Sequence, residues 1–262
     1  MPFHYHHSIR YYTFDSLEEA GITHAVFTRL GGLSPEPWKS LNVGGLRGDD
    51  PDRVKANRVL SFQSLGKIPE SVYDAWQVHG VDVACAEAPR PADVPHKKAD
   101  TILTDRPEVS LFMRFADCVP ILIYDPVRNV AGIAHAGWQG TVRGAARVAI
   151  ETMQARYGTH PKDILAAIGP SIAAHHYEVG PEVIERVRSA FGSDAPTLLP
   201  KFNGAVHFDL WAANCLQLEQ AGVRKIEVSG ICTACNTGDW FSHRAEKGQT
   251  GRFGALIAVK PS

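Results

Sequence analysis

Three residues in three separate segments carry side chains suited to a metal: His79 in Trp76-Gln77-Val78-His79-Gly80, Cys118 in Ala116-Asp117-Cys118-Val119-Pro120, and His135 in Ala134-His135-Ala136-Gly137-Trp138. Two imidazoles and one thiolate form a borderline-soft donor set that fits zinc. Three protein ligands leave the fourth tetrahedral position open to water or substrate, the arrangement of a catalytic rather than a structural site. The expectation is that His79, Cys118 and His135 converge on one zinc at about 2.0 to 2.3 Å with no fourth protein side chain. Singly, each would read as an ordinary core residue beside an apolar strand. Position sets them apart. Cys118 follows the run 109–116 and His135 ends the run that starts at 129, so both stand at strand ends, where rigid elements present side chains to a site.

Short β-branched or apolar runs predict the strands that must hold these segments, at 23–28, 72–78, 81–86, 101–104, 110–115, 121–124, 130–135, 164–168, 225–230 and 254–259. Val54, Arg58, Phe62 and Leu65 share one helical face, and so do Val142, Ala146, Ala149 and Met153. Pro181 opens a third helix, and Asp209 caps a fourth that carries Leu210, Ala213, Leu216 and Leu218. Residues 31–48 and 88–98, rich in Gly and Pro, read as loops. Many strands with few helices predict an α+β or mixed α/β architecture rather than regular βαβ alternation, in a single domain over 1–262. After His135 the chain passes through Gly137-Trp138-Gln139-Gly140 into the helix predicted near Thr141. Backbone N–H groups at such a turn favour anions, although the glycines alone would also account for it. Arg143 and Arg147, four apart on that helix, read as solvated surface or as anion clamps.

The composition fits a globular protein: 262 residues, 44% hydrophobic and 21% charged. Lys+Arg 27 against Asp+Glu 28 leaves a formal net charge of -1, which removes the electrostatic footprint of a general nucleic-acid binder and favours a small-molecule partner. No apolar run is long enough to span a bilayer, and the first residues lack a signal-peptide core, so a cytoplasmic protein with no membrane partner is expected. Five cysteines at irregular positions argue against a disulfide framework. Cys85 and Cys215 read as buried apolar residues. Cys232 and Cys235 form C-x-x-C, a redox pair or half a zinc site; with no second C-x-x-C, they read as a structural thiol pair near the site. His4, His6 and His7 read as a flexible surface tail, and His175 and His176 as a loop before Tyr177.

The three metal-ligand segments are accompanied by Thr28-Arg29-Leu30-Gly31-Gly32-Leu33-Ser34, Leu41-Asn42-Val43-Gly44, Asn57-Arg58, Ile168-Gly169-Pro170-Ser171-Ile172, Tyr177-Glu178-Val179, Phe208-Asp209-Leu210, Cys232-Thr233 and Phe241-Ser242-His243-Arg244. Together, from about Thr28 to the C-terminus, they resemble the laccase-domain family, long described as polyphenol oxidase and now regarded as purine nucleoside phosphorylases. The resemblance implies a single-domain layered sandwich of α/β/β/α type and places His79, Cys118 and His135 on the family's zinc triad. It also implies phosphorolysis of adenosine, inosine, guanosine and methylthioadenosine, and deamination of adenosine. Where the family usually has Arg, this chain has Gln139, which removes a fixed cation from the neighbourhood of the site.

Phosphorolysis needs a positioned phosphate, a cradle for the ribose hydroxyls and help for the departing base. Deamination needs an activated water and a carboxylate to carry protons. Asp117, beside Cys118, is the candidate carboxylate, with a backbone-bonding role as the alternative because strand neighbours point to opposite faces. Arg29, Asn42, Arg58 and Arg244 are candidates for phosphate, ribose or base contacts, or else ordinary loop and surface residues. Two other functions compete with the purine enzyme. A copper oxidase of phenols would need many paired histidines, and His4-Tyr5-His6 is the only H-x-H here. A noncatalytic zinc module, of the kind linked to peptidoglycan editing, would show four protein ligands. A monomer or small homo-oligomer acting on purine nucleosides and phosphate is expected.

Overall fold

The computed structural model describes residues 2–45 and 48–260; Leu46 and Arg47 of the predicted 31–48 loop lie outside them. Two six-stranded sheets stack face to face. The first has the order β1 (Phe3–His6), β2 (Ile9–Tyr12), β3 (Thr23–Phe27), β14 (Phe253–Ala258), β7 (Ser110–Phe115) and β4 (Val72–Asp74). The second has the order β13 (Lys225–Val228), β10 (Leu165–Ile168), β8 (Val119–Asp125), β9 (Val130–Ala136), β6 (Thr101–Thr104) and β5 (Val83–Cys85). A small hairpin, β11 (Lys201–Phe202) with β12 (Ala205–Val206), stands apart.

Strand periodicity decides what each face covers. In β14, Phe253, Ala255 and Ile257 join the core between the sheets, while Leu256 and Ala258 face outward onto Phe62 of helix α2 (Pro51–Gln63). In β8, Leu122 and Tyr124 face the first sheet, while Val119, Ile121 and Ile123 pack on the opposite helical layer. That layer holds α3 (Trp138–Arg143), α4 (Ala145–Tyr157), α5 (Pro181–Phe191), α6 (Ala195–Leu198) and α7 (Leu210–Gln220). A further short helix, α1 (Asp15–Glu19), joins β2 to β3. The result is α/β/β/α, as the resemblance implies. Central strands buried on both faces read as continuous apolar runs, which made them visible in the sequence. Among the described residues no helix is long and apolar enough to cross a membrane.

Three sequence expectations change. His4 and His6 are not in a flexible tail: β1 pairs antiparallel with β2, Phe3 meets Tyr12 edge-on at 5.3 Å, and His4 Nε2 lies 2.9 Å from Thr13 Oγ1. The 142–153 helix is two helices, because Gly144 takes a left-handed φ of 87° that ends α3 and starts α4. Arg143 and Arg147 are therefore not on one helical face, and Arg147 pairs with Glu151 at 2.7 Å. Cys85 and Cys215 are half-buried rather than buried.

Candidate metal centre and cavity

His135 occupies the same face of β9 as Ala131 and Ile133, which places its ring in the inter-sheet core at the end of the strand. Cys118 begins the second half of a tight connection from β7 to β8, with Asp117 at a φ of 79°. His79 comes from the segment that follows β4. The strand predicted at 72–78 stops at Asp74; Trp76 pairs instead with the segment at Lys98, and from Val78 three consecutive N–H groups turn onto one carboxylate. Asp100 accepts from Val78 N at 3.0 Å, His79 N at 3.0 Å and Gly80 N at 2.7 Å. Three successive N–H groups on one anion form a nest, which a β-strand could not offer.

Asp100 also lies 2.8 Å from His135 Nδ1, and its carbonyl accepts from His135 N at 2.7 Å. One fully buried acid thus fixes both histidines and leaves His135 Nε2 as the ring's ligating atom. Burial alone would push the Asp100 carboxyl up, but hydrogen bonds from His135 and the 78–80 backbone hold it below the usual range. His79, Cys118 and His135 present ligand atoms that all lie within 4.8 Å of one another. The glycine at 137 is required by that convergence: a Cβ there would sit 2.8 Å from Cys118 Sγ and 3.2 Å from His79 Cδ2. Without metal, burial raises the Cys118 thiol, but the neighbouring His135 and His79 imidazoles outweigh it and bring it down to about 6. The thiolate in turn helps hold His135 up at about 9 against burial. A ready thiolate, an oriented imidazole and a second histidine make a donor set that fits zinc.

The trio lines a cavity of about 550 Å³, within the range that holds small ligands. Its wall carries Arg114, Arg244, Arg252 and His243 beside the rings of Trp76, Trp138 and Tyr177. Gln139 also lines it. Of the predicted contacts, Asp117 and Arg244 are here. Asp117 is held by two bonds: Thr233 Oγ1 donates at 2.7 Å and Arg244 N at 2.6 Å. This is the backbone-bonding alternative, reached through a turn rather than a strand. Arg244 Nη1 donates to Glu178 O at 3.0 Å, with the guanidinium 5.0 Å from the Tyr177 ring centre.

Arg29, Asn42 and Arg58 do not line the cavity. Arg29 is buried over Phe241, donates to Lys39 O and Thr237 O, and pairs with Glu246 at 2.9 Å. Asn42 is fully buried and ties Gly44, Asp49 and Arg252 N together, so it shapes the cavity wall without touching its contents. Arg58 donates to Val43 O and stands 3.9 Å from Asp74; burial, then the charge of Arg114, brings it down to about 10. Sequence reasoning missed Asp100, Arg114, Arg252 and His243 as site residues. Arg114 had a signal, as the one charge inside the apolar run 109–116. Asp100 had none, since its partners lie far off along the chain.

Residues 23–260 match the model of the family described as multi-copper polyphenol oxidoreductase laccase. The chain is 40% identical over 238 residues to a purine nucleoside phosphorylase of Deinococcus radiodurans, covering 91% of this chain and 89% of that protein. It is 39% identical over 236 residues to the purine nucleoside phosphorylase SCO2081 of Streptomyces coelicolor, covering 89% of this chain and 94% of that protein. The crystal structure of YlmD from Geobacillus stearothermophilus superposes with a TM-score of 0.92 at 33% identity, covering 99% of both chains.

Proposed function

The chain belongs to the multi-copper polyphenol oxidoreductase laccase family, and from that premise we propose that it is a zinc-dependent purine nucleoside enzyme. It splits adenosine, inosine, guanosine and methylthioadenosine by phosphorolysis and deaminates adenosine. The observation that carries the reading is one cavity lined both by the His79, Cys118 and His135 donors and by Arg114, Arg244 and Arg252. Relatives named purine nucleoside phosphorylase support it. The phenol-oxidase alternative draws less support, since His4 of the lone H-x-H is engaged by Thr13, just after β2, and by Glu18 of α1.

Zinc held by His79, Cys118 and His135 would supply Lewis acidity for activating water and polarising the substrate. The rest falls to this chain's own side chains. In phosphorolysis a phosphate oxygen bonds to C1′ as the glycosidic bond breaks, and the purine leaves with the electron pair and takes up a proton. Arg114, Arg244 and Arg252 provide the positive charge that positions the phosphate; Arg58, one step behind Arg114, supports rather than touches it. Trp76, Trp138 and Tyr177 offer faces for the base. Asp117 holds the Arg244 backbone beside Cys118, and among the described residues it is the one carboxylate on the cavity lining that could carry a proton in deamination.

The test is an assay of purified, metal-quantified protein against adenosine and inosine, with and without phosphate. Phosphate-dependent release of base from inosine and phosphate-independent conversion of adenosine to inosine are expected. Neither reaction, together with turnover of a phenol by copper-loaded protein, would overturn the reading. Cys118→Ala should lose its metal and both reactions; full deaminase activity in that protein without metal would show that the trio is structural.

A further inference from the structure

Beyond the site just described, the C-x-x-C pair acquires two partners that its sequence spacing did not reveal. The short turn Ala174–His176 brings His175 and His176 against Cys232 and Cys235, with the four ligand atoms all within 4.8 Å of one another. His175 Nε2 lies 3.1 Å from Cys235 Sγ, and His176 Nδ1 lies 3.4 Å from Cys235 Sγ and 3.6 Å from Cys232 Sγ. For a tetrahedral zinc with Zn–S of about 2.3 Å and Zn–N of about 2.0 to 2.1 Å, an N···S edge is about 3.5 Å. The three separations bracket that edge. Cys232 is buried, and its sulfur accepts from Ala173 N at 3.4 Å, the kind of backbone bond that steadies a metal-bound thiolate.

We propose that His175, His176, Cys232 and Cys235 form a second, structural zinc site. Four protein donors of the Cys2His2 type fill the coordination sphere, so this centre holds structure and leaves no place for substrate. What it holds is the cavity wall. The two segments it joins already meet at the Ser171–Cys232 bridge. From there Thr233 donates to Asp117, and His176 is followed directly by Tyr177, which faces the Arg244 guanidinium. A metal clamp on this pair of loops would fix Tyr177, Asp117 and Arg244 relative to the first centre.

The experiment counts zinc in protein purified without tags and dialysed against a weak chelator, for the full chain, three single variants and one double variant. Two zinc ions per chain are expected in the parent protein, and one each in Cys235→Ser, His175→Ala and Cys118→Ser. His175 and Cys235 are exposed, so neither change should prevent folding, which circular dichroism checks. The zinc left in Cys118→Ser should show two sulfur and two nitrogen neighbours by X-ray absorption. Chelator should lower the melting temperature of Cys118→Ser but not of the Cys118→Ser, Cys235→Ser double variant. A parent protein with one zinc that Cys118→Ser removes altogether would overturn the second site. So would a Cys232–Cys235 disulfide that persists in purified protein kept with reductant and zinc.

Discussion

Asp100 is where the chemistry of single residues is most concentrated. Its carboxylate receives the Val78, His79 and Gly80 N–H groups and His135 Nδ1, so it positions two of the proposed metal ligands from two different segments at once. Asp100→Asn keeps the shape but replaces one acceptor oxygen with a donor that must face N–H groups. Metal affinity should fall about 10- to 100-fold, the usual cost of losing such a supporting partner, as read by chelator competition. An unchanged affinity would mean that packing alone orients His135. Gly137→Ala attacks the same centre from the other side, since its Cβ would press on Cys118 Sγ and His79 Cδ2. It should lower metal occupancy without unfolding the protein, a combination seen by comparing zinc content with circular dichroism. For Asp117, both oxygens are already engaged by Thr233 and Arg244 N. Asp117→Asn should slow deamination about 10²- to 10⁴-fold if the carboxylate carries a proton. Thr233→Val, which removes one of the two bonds and keeps the acid, should cost much less. Equal losses in the two variants would assign Asp117 to positioning alone.

At the level of elements, what the sequence disclosed follows from burial. β8, β9, β7 and β14 are apolar on both faces, so their runs were legible, and the helices α5 and α7 announced themselves through Pro181 and the Asp209 cap, whose side chain accepts from Ala212 N at 3.0 Å. β1 and β2 were missed because His, Tyr and Arg alternate there on a half-exposed edge. The trio of candidate donors was visible because Cys118 and His135 stand at strand ends, while His79, in the segment after β4, was marked only by its residue type. The substrate-contact candidates were harder to read: an Arg or Asn looks the same whether it faces a cavity or closes a loop. Arg29 and Asn42 close loops, whereas Arg114 and Arg252 face the cavity. Gly144 shows the same limit at a helix junction, because the sequence pattern continued through it while its backbone could not. Gly144→Ala forces a left-handed φ on an L side chain whose Cβ also meets the Arg147 guanidinium. A loss of about 1 to 2 kcal/mol is expected from urea denaturation. A neutral result would show that α3 and α4 can merge into one helix.

Across the whole molecule, the cavity depends on a buried charge cluster that ties outlying segments to the edge of the first sheet. Asp74 ends edge strand β4 and is 4% exposed. It takes Arg90 Nε and Nη2 at 2.9 Å from the proline-rich 88–98 segment and His96 Nε2 at 3.0 Å, with Arg58 of α2 at 3.9 Å. The cavity cation Arg114 adds its charge to the same acid. Burial would raise the Asp74 carboxyl, but His96, Arg114 and Arg90 together hold it below its ordinary value. A carboxyl depressed on folding contributes stability above its unfolded value of about 3.9 and loses it as the pH falls through the folded value. Asp74→Asn removes the one anion among several cations while keeping the side chain's size. The cost at pH 7 should be about 3 kcal/mol, the low end for breaking a buried pair because Arg90 and His96 keep some solvent contact. In metal-free protein, so that loss of zinc does not contribute, urea midpoints of parent and variant should differ clearly at pH 7 and converge below about pH 4. A gap that stayed constant across that range would mean that Asp74 acts through shape and hydrogen bonding, with its charge already balanced elsewhere.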